Sequence, residues 1–505
     1  MRSGRSPTGS ANQELQAVVP RGLGSASNDR SSFACSRTTA SPAATTWSLR
    51  SADRDRLFTL FYGRFFEAHP FVLPRAHYEA EACPPYLDLM ICYVGLHYAK
   101  PMPANAGMLE AAVSSALSSG HDEQSAYRVQ ALVLRAIVMH AGQRPTETAS
   151  CVARAAGIAM SLGMNDPFFA RNESHGSLVL EESLRRTWWE LQAVDVYFAA
   201  LHRRSTFETC SVQILPFLPC AESSYTVGLC DQSQAEIGAF DDRVFSTADS
   251  SLVYSSGCFR IEAIRIVSRA LAVASTDDAH PDAIQALDNA VASWEYNLPE
   301  QCKDVFDPSG ELDHMLFEGR CFILCASIFL HFPRSNLVST VPSAGGLECA
   351  KNYTQLTPTS RHHALKAIAA SKELASLATL PWPVGRHSPF VICGLVLGCI
   401  VQLAAGIAHS QQYGLDGLQQ HRDRVVLMLG ALQGLSDIWK LAKNAVTSLR
   451  AIADTVFTRR NQEPPASDSS SFHDSAMDIG SGAFSDLSWF DLFSADEMQN
   501  TFFGS

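Results

Sequence analysis

At 505 residues, with 46% of side chains hydrophobic and 18% charged, the chain has the composition of about three average domains or one large helical one, and disorder throughout is excluded. Lys+Arg 39 against Asp+Glu 51 leaves a net charge of −12, so the whole surface cannot act as an electrostatic glove for a polyanion, and any nucleic-acid contact must be local. Cys 14 with no CxxC pair suits reduced, mostly buried thiols rather than a secreted disulfide framework.

The N-terminal stretch is rich in Ser, Thr, Ala and Gly, weakly basic, with AVVP as its longest apolar run. It has neither the apolar core of a secretory signal nor the amphipathic stripe of a transit peptide, so residues 1–51 are expected to be a solvated arm. From about 52 to 460 the apolar residues recur at helical spacing between short breaks of Pro, Gly or Ser, which predicts one large, irregular all-α body. Helices are expected near 55–68, 86–98, 106–118 and 124–140. In CVARAAGIAMSLGMN, Val152, Ala155, Ala156, Ala159 and Leu162 follow the i, i+3, i+4, i+7 rule, and Gly163 stands where a helix would stop. Residues 180–201 set Leu184, Trp188, Leu191, Val194, Phe198 and Leu201 along one face. Glu181 and Glu182 each precede an arginine, Arg185 and Arg186, by four positions, which marks helix ion pairs on a solvated face.

Further along, 202–255 and 334–360 lack periodic pattern and read as surface loops. Helices are expected near 256–274, 282–296, 312–331, 361–379, 389–410, 419–434 and 437–458, with no fixed-period repeat. Residues 389–408 contain Gln402 as their sole polar residue and carry Gly394 and Gly398 at small-xxx-small spacing, long enough to cross a bilayer. A helix covered on all sides in the core is the better reading, because the flanks offer Arg386 and His387 but no basic cluster. After Arg460 there is no Lys or Arg. Residues 461–483 read as a Ser/Pro linker, and 484–503 alternate acids with rings and leucines: Asp486, Leu487, Trp489, Phe490, Asp491, Leu492 and Phe493. Such a segment cannot form a core of its own, and its rings stay available for a partner's groove. Acidic-hydrophobic alternation of this kind is the mark of disordered activation segments.

No familiar constellation for catalysis or cofactor binding is present: no GxSxG, no GxxxxGK[ST], no GxGxxG after a strand and no HExxH. His362 and His363 point to opposite sides of a helix, and Cys321 and Cys325 have no second ligand pair near them, so no metal site is expected. Cys210, Cys220 and Cys230 are spaced by ten residues, which matches no metal motif and reads as coincidence. Asp195 falls on the apolar stripe of 180–201, and a charge there must be paired or hydrogen-bonded; a structural ion pair is the expected reading, ahead of a ligand contact or a catalytic role.

Residues 128–164, followed by LRRTWWELQAVDVYF at 184–198, resemble the fungal-specific transcription factor domain, the middle homology region of fungal zinc-cluster regulators. The resemblance is carried by Arg185-Arg186, then Trp188-Trp189, then Asp195, then Leu215-Pro216. It extends to FYGRFFEAHPFVLPR at 61–75, ALDNAVASWEYNLPE at 286–300, LHFPRS at 330–335 and ALQGLSDIWKLAKNAVTSL at 431–449. Two features depart from it. Where the family places Gly-Arg-Pro after the Asp, this chain has His202, Arg203, Arg204 and Ser205. Residues 1–54 hold Cys35 alone, which cannot make the family's six-cysteine zinc module.

The resemblance implies an all-α regulatory body over 52–460, with Arg185, Arg186, Trp188, Trp189 and Asp195 as scaffold residues. It further implies a nuclear regulator of transcription, an activator of a biosynthetic, secondary-metabolite gene cluster, with neither catalytic residues nor a cofactor. The tail at 484–503 would recruit a coactivator or the general transcription machinery, and DNA would be reached indirectly or through a partner protein. The dimer state, homo- or heteromeric, stays open. The rivals are a ligand-sensing co-regulator that never touches DNA, an all-α pathway enzyme, and a protein held to a membrane through 389–408.

Overall fold

Serine, aspartate and proline set where the helices begin. Ser125 Oγ accepts the Arg128 amide at 3.2 Å, Ser177 Oγ the Leu180 amide at 3.3 Å and Asp313 Oδ1 the Leu316 amide at 2.9 Å, each satisfying one of the donors a helix leaves open. Pro85, Pro145 and Pro281 occupy first-turn positions, where the missing N–H costs nothing. Gly163, at φ 72°, ends its helix in the left-handed conformation, as the sequence predicts.

The computed structural model describes residues 50–458 apart from 102–105, 119–123, 231–234, 245–252, 275–278, 308, 342–354, 357–359, 382 and 414–417. Among the described residues seventeen α-helices follow one another: α1 (Ser51–Arg64), α2 (Arg75–Tyr78), α3 (Pro85–Leu96), α4 (Ala106–Ser118), α5 (Ala126–Ala141), α6 (Pro145–Leu162), α7 (Phe169–Glu173), α8 (Leu178–Leu201), α9 (Glu222–Val227), α10 (Ile237–Asp242), α11 (Ser256–Ala274), α12 (Pro281–Tyr296), α13 (His314–His331), α14 (Arg361–Leu377), α15 (Phe390–Tyr413), α16 (Leu418–Ser436) and α17 (Lys440–Thr458). No named strand occurs among these residues, and the all-α reading holds.

Two helices organise the packing. α8 is flanked by α5, α6, α7 and α11, and 22 of its 24 residues are buried, so its apolar stripe is only part of a wholly enclosed surface. α15 is covered by α13, α14, α16, α17 and the 3-10 turn Asn336–Thr340. Of its apolar window within Phe390–Ser410, 94% is buried, which accounts for its length and hydropathy by a protein core. Its small residues serve that core: a Cβ on Gly398 would come within 2.7 Å of the Met428 sulfur, so the glycine lets α16 approach. Inside the same helix, Gln402 donates to Ser371 Oγ at 2.6 Å and accepts from His421 Nδ1 at 2.7 Å, which settles its polar group in the core.

The structure corrects the reading of 202–255 as a surface loop. That segment carries α9 and α10 and sends Thr209, Leu218, Tyr225 and Phe240 into the core, each at most 3% exposed. In 334–360 a 3-10 turn buries Leu337. Helices α2 and α7, of four and five residues, have no counterpart in the expected list because one turn is too short to show a period.

Candidate functional site

The first half of α8 holds a cluster of buried charges. Arg186 Nε donates to Glu182 Oε1 at 2.7 Å, Arg185 donates to Glu181 Oε1 at 2.8 Å and also to Glu182, and all four side chains are 7% exposed or less. The expectation that these pairs lie on a solvated face is therefore wrong. The cause is the segment 202–255, which folds over them. Arg186 also donates to the Cys220 carbonyl at 2.6 Å, and the Cys220 amide returns a bond to Glu182 Oε1 at 2.9 Å. Beyond them, Glu222 approaches Arg186 at 3.4 Å and accepts from Ser256 Oγ, while the Tyr225 ring lies 4.5 Å from the guanidinium. Burial works against the Glu182 carboxylate, but Arg186 and Arg185 overcome it and hold its pKa below the ordinary range.

One turn further, Gln130 of α5 donates to Ser183 Oγ at 3.0 Å and Thr187 Oγ1 at 2.9 Å, locking α5 against α8. Trp188 is completely enclosed. Trp189 donates its indole N–H to the Phe217 carbonyl at 3.0 Å, fastening the start of the covering segment.

A second charge cluster surrounds Glu190. His69 Nδ1 lies 2.7 Å from Glu190 Oε1, Arg260 of α11 donates to Glu190 Oε2 at 2.9 Å, and the same guanidinium reaches Glu318 Oε2 of α13 at 2.7 Å. Burial opposes the Glu190 carboxylate, yet Arg260 and His69 pull it down to about 2. His69 Nε2 is 2.9 Å from Ser388 Oγ, so serine, histidine and glutamate stand in the order that hydrolases use. The geometry does not make a working relay. Ser388 and His69 are 2% and 0% exposed, and Ser388 Oγ also accepts the Phe390 amide at 3.1 Å. The neighbouring cavity, between Tyr197, Glu318, Phe322 and Phe390, measures about 30 Å³, room for one or two waters.

Asp195 accepts two bonds from Thr209, the amide at 2.7 Å and the hydroxyl at 2.9 Å, and the Glu208 backbone adds a further one. The expected ion pair is replaced by a hydrogen-bonded carboxylate. Burial raises its pKa even though both Thr209 bonds oppose the rise. Arg185, Arg186, Trp188, Trp189 and Asp195 thus all sit inside α8, the arginines and Asp195 in two separate polar networks and both indoles buried. Asp486, Leu487, Trp489, Phe490, Asp491, Leu492 and Phe493 lie outside the described residues.

His363 Nδ1 meets His331 Nδ1 at 2.8 Å, and His331 Nε2 meets Asp288 at 2.7 Å, a polar bridge joining α12, α13 and α14. Among the described residues no group of three His, Cys, Asp or Glu is placed to hold a metal ion. Cys321 and Cys325 are buried, and burial drives both thiols up, Cys325 to about 12. Cys220 and Cys230 are different. Both are half-buried, and Cys220 Sγ donates to the Ala221 carbonyl at 3.6 Å. His69, Gln130, Glu190, Arg260, Glu222 and Glu318 were not expected as framework residues. The available signal was a charged or amide group on an otherwise apolar helix, the argument that singles out Asp195.

Residues 55–269 match the family model described as the fungal specific transcription factor domain, which runs from within α1 through most of α11 and contains the whole of α8. A protein of Pestalotiopsis fici named C6 finger domain transcription factor iacK is 27% identical over 407 residues, 80% of this chain and 59% of the relative. The chain spans about three fifths of the length of that relative. No solved structure matches.

Proposed function

We propose that the chain, through the fungal specific transcription factor domain that residues 55–269 carry, is a nuclear regulator of transcription. The match over 55–269 is the observation on which this reading rests. The helical body from 52 to 460 is its regulatory domain, and the acidic-aromatic segment at 484–503 is its activating arm, with Trp489, Phe490 and Phe493 supplying the anchors that a coactivator groove would take. The pathway controlled is a biosynthetic gene cluster, and DNA is engaged directly or through a partner protein.

The buried networks of α8 support a body that acts by holding a shape rather than by making bonds. Their charges are spent on one another and on backbone groups, and the serine beside His69 is closed off. The test tethers residues 461–505 to a heterologous DNA-binding module and reads a reporter gene. Trp489→Ala with Phe490→Ala is expected to abolish activation, and a double variant that still activates removes the arm from the proposal. Gel retardation of promoter DNA by the full chain, with and without nuclear extract, separates direct from partner-borne DNA contact.

A further inference from the structure

We infer that the cavity between α8, α11, α13 and α15 is a binding site for a small monovalent nitrogen cation, ammonium, held by the Glu318 carboxylate among aromatic rings. The cavity measures about 30 Å³. Tyr197, Phe322, Phe329 and Phe390 stand in its wall with Glu318 as the one charged residue, and the remaining lining is aliphatic, glycine or thiol. Glu318 is 2% exposed, and its Oε2 accepts from Arg260 Nε at 2.7 Å. Its Oε1 is buried and has no hydrogen-bond partner among the described residues. A buried carboxylate oxygen left open beside a cavity calls for a donor, because folded proteins rarely leave such an atom unmet.

Charge and shape select the donor. The Arg260 guanidinium is shared: it gives Glu190 two bonds, at 2.9 and 3.4 Å, and Glu318 one. His69, the other base of this cluster, lies on Glu190. Two buried carboxylates therefore draw on one guanidinium, and Glu318 is the one left short of positive charge. Aromatic walls attract a cation through the ring quadrupole, which a neutral water does not exploit. Sodium, potassium and the divalent ions ask for several oxygen ligands, whereas this cavity offers one open oxygen, since the Tyr197 hydroxyl is already given to the Phe390 carbonyl at 3.2 Å. Ammonium needs one strong acceptor and can turn its remaining N–H bonds to rings and sulfur. A space of about 30 Å³ admits an ion the size of a water and excludes a quaternary amine.

The position gives such an ion a consequence. Tyr197 of α8 and Ile264 of α11 lie within residues 55–269, while Glu318 of α13 and Phe390 of α15 lie beyond them. An ion among these side chains ties the two stretches of chain together, and because it binds the folded chain alone it stabilises the body by mass action. The site does not depend on how the chain meets DNA.

The test uses the full chain in an ammonium-free sodium buffer at neutral pH. Its melting temperature is followed while sodium chloride is replaced by ammonium chloride, or by potassium chloride, at constant ionic strength. Ammonium alone should raise the midpoint, saturably and by at least about 2 °C. Isotopically labelled ammonium should also give a proton resonance separate from that of the bulk ion. Glu318→Gln keeps an acceptor for Arg260 but removes the charge, and it should abolish both signals. Gly394→Ala is the second variant. Its Cβ would meet Cys325 Sγ at 3.4 Å and Leu374 Cδ2 at 3.9 Å, so a methyl enters the cavity wall without striking backbone and leaves Glu318 and Arg260 in place. It should be as stable as the parent in sodium and lose the response to ammonium. An equal rise with potassium, a response that survives either substitution, or no response in the parent, with water only at Glu318 Oε1, would each overturn the inference.

Discussion

Arg186 Nε lies 2.7 Å from Glu182 Oε1, one helical turn away, and neither side chain reaches solvent. Removing one member of such a pair leaves a charge buried without its partner, which costs about 3–5 kcal/mol, whereas removing both together costs far less. Arg185 and the Cys220 amide still reach Glu182 when Arg186 is removed, so Arg186→Met should destabilise the full chain by no more than about 3 kcal/mol in urea denaturation. The double variant Glu182→Gln, Arg186→Met should recover roughly half of the loss. A single variant within about 1 kcal/mol of the parent would show that water reaches the pair and that the covering segment opens freely.

The serine, histidine and glutamate beside one another at 388, 69 and 190 invite a hydrolase reading, and the burial of all three argues against it. A fluorophosphonate probe should leave Ser388 unlabelled on the folded chain. Ser388→Ala should lower the melting temperature, because His69 Nε2 and the Phe390 amide both lose a partner at about 1–3 kcal/mol for a buried group. Labelling of Ser388 at a rate that His69→Gln abolishes would establish a reactive serine and refute the reading of a purely structural contact.

Glycine at 95 is a packing requirement. Its Cβ would sit 2.2 Å from the Leu57 carbonyl oxygen, where α3 crosses α1, and a backbone atom cannot step aside as a side chain can. Gly63, near the end of α1, meets nothing within 4 Å of the same added atom. Gly95→Ala is expected to destabilise by about 1–3 kcal/mol or more. Gly63→Ala should be neutral or gain about 0.5–1 kcal/mol from helix propensity. Equal effects of the two changes would mean that the α1–α3 crossing is looser than its geometry.

The long helices were legible because a period of 3.6 residues needs only local sequence, and α8, α15 and α17 each supply several turns of it. What sequence could not reveal was which polar residues end up enclosed. A Glu followed four positions later by Arg looks the same on a wet surface and under a lid, and the lid here, Cys220 to Tyr225, has no periodic pattern of its own. Asp195 was visible as a charge on an apolar stripe, but Thr209, its partner, sits in a stretch without regular structure. His69, Glu190, Arg260 and Glu318 come from four distant stretches of chain and meet only once the helices have packed, so no spacing rule could have joined them.

The same burial fixes the response to acid. His97, His363 and His421 are lowered by burial to about 4, and His387 to about 3, from an ordinary 6.5. A depressed histidine pKa means that the unfolded chain takes up the proton first, so their contribution is complete above about 6.5 and is lost as the pH falls toward 4 and 3. His97 and His387, both enclosed, each add up to about 1.4 kcal/mol per pH unit to the slope in that range, and the more open His363 and His421 add less. The carboxylates of Glu190 and Asp288 act later. Both are held at about 2 against the cost of burial, Glu190 by Arg260 and His69, Asp288 by His331 and Lys366, so their stabilisation is complete above about 4.5 and disappears toward 2. Urea midpoints measured from pH 8 to pH 3 should accordingly begin to drop near 6.5, before Glu190 and Asp288 titrate. His387→Gln, which keeps a polar group next to Phe317 but cannot take up a proton, should flatten that first decline. Midpoints that stay level between pH 7 and pH 5 would mean that these rings are already charged, or already wet, in the folded chain.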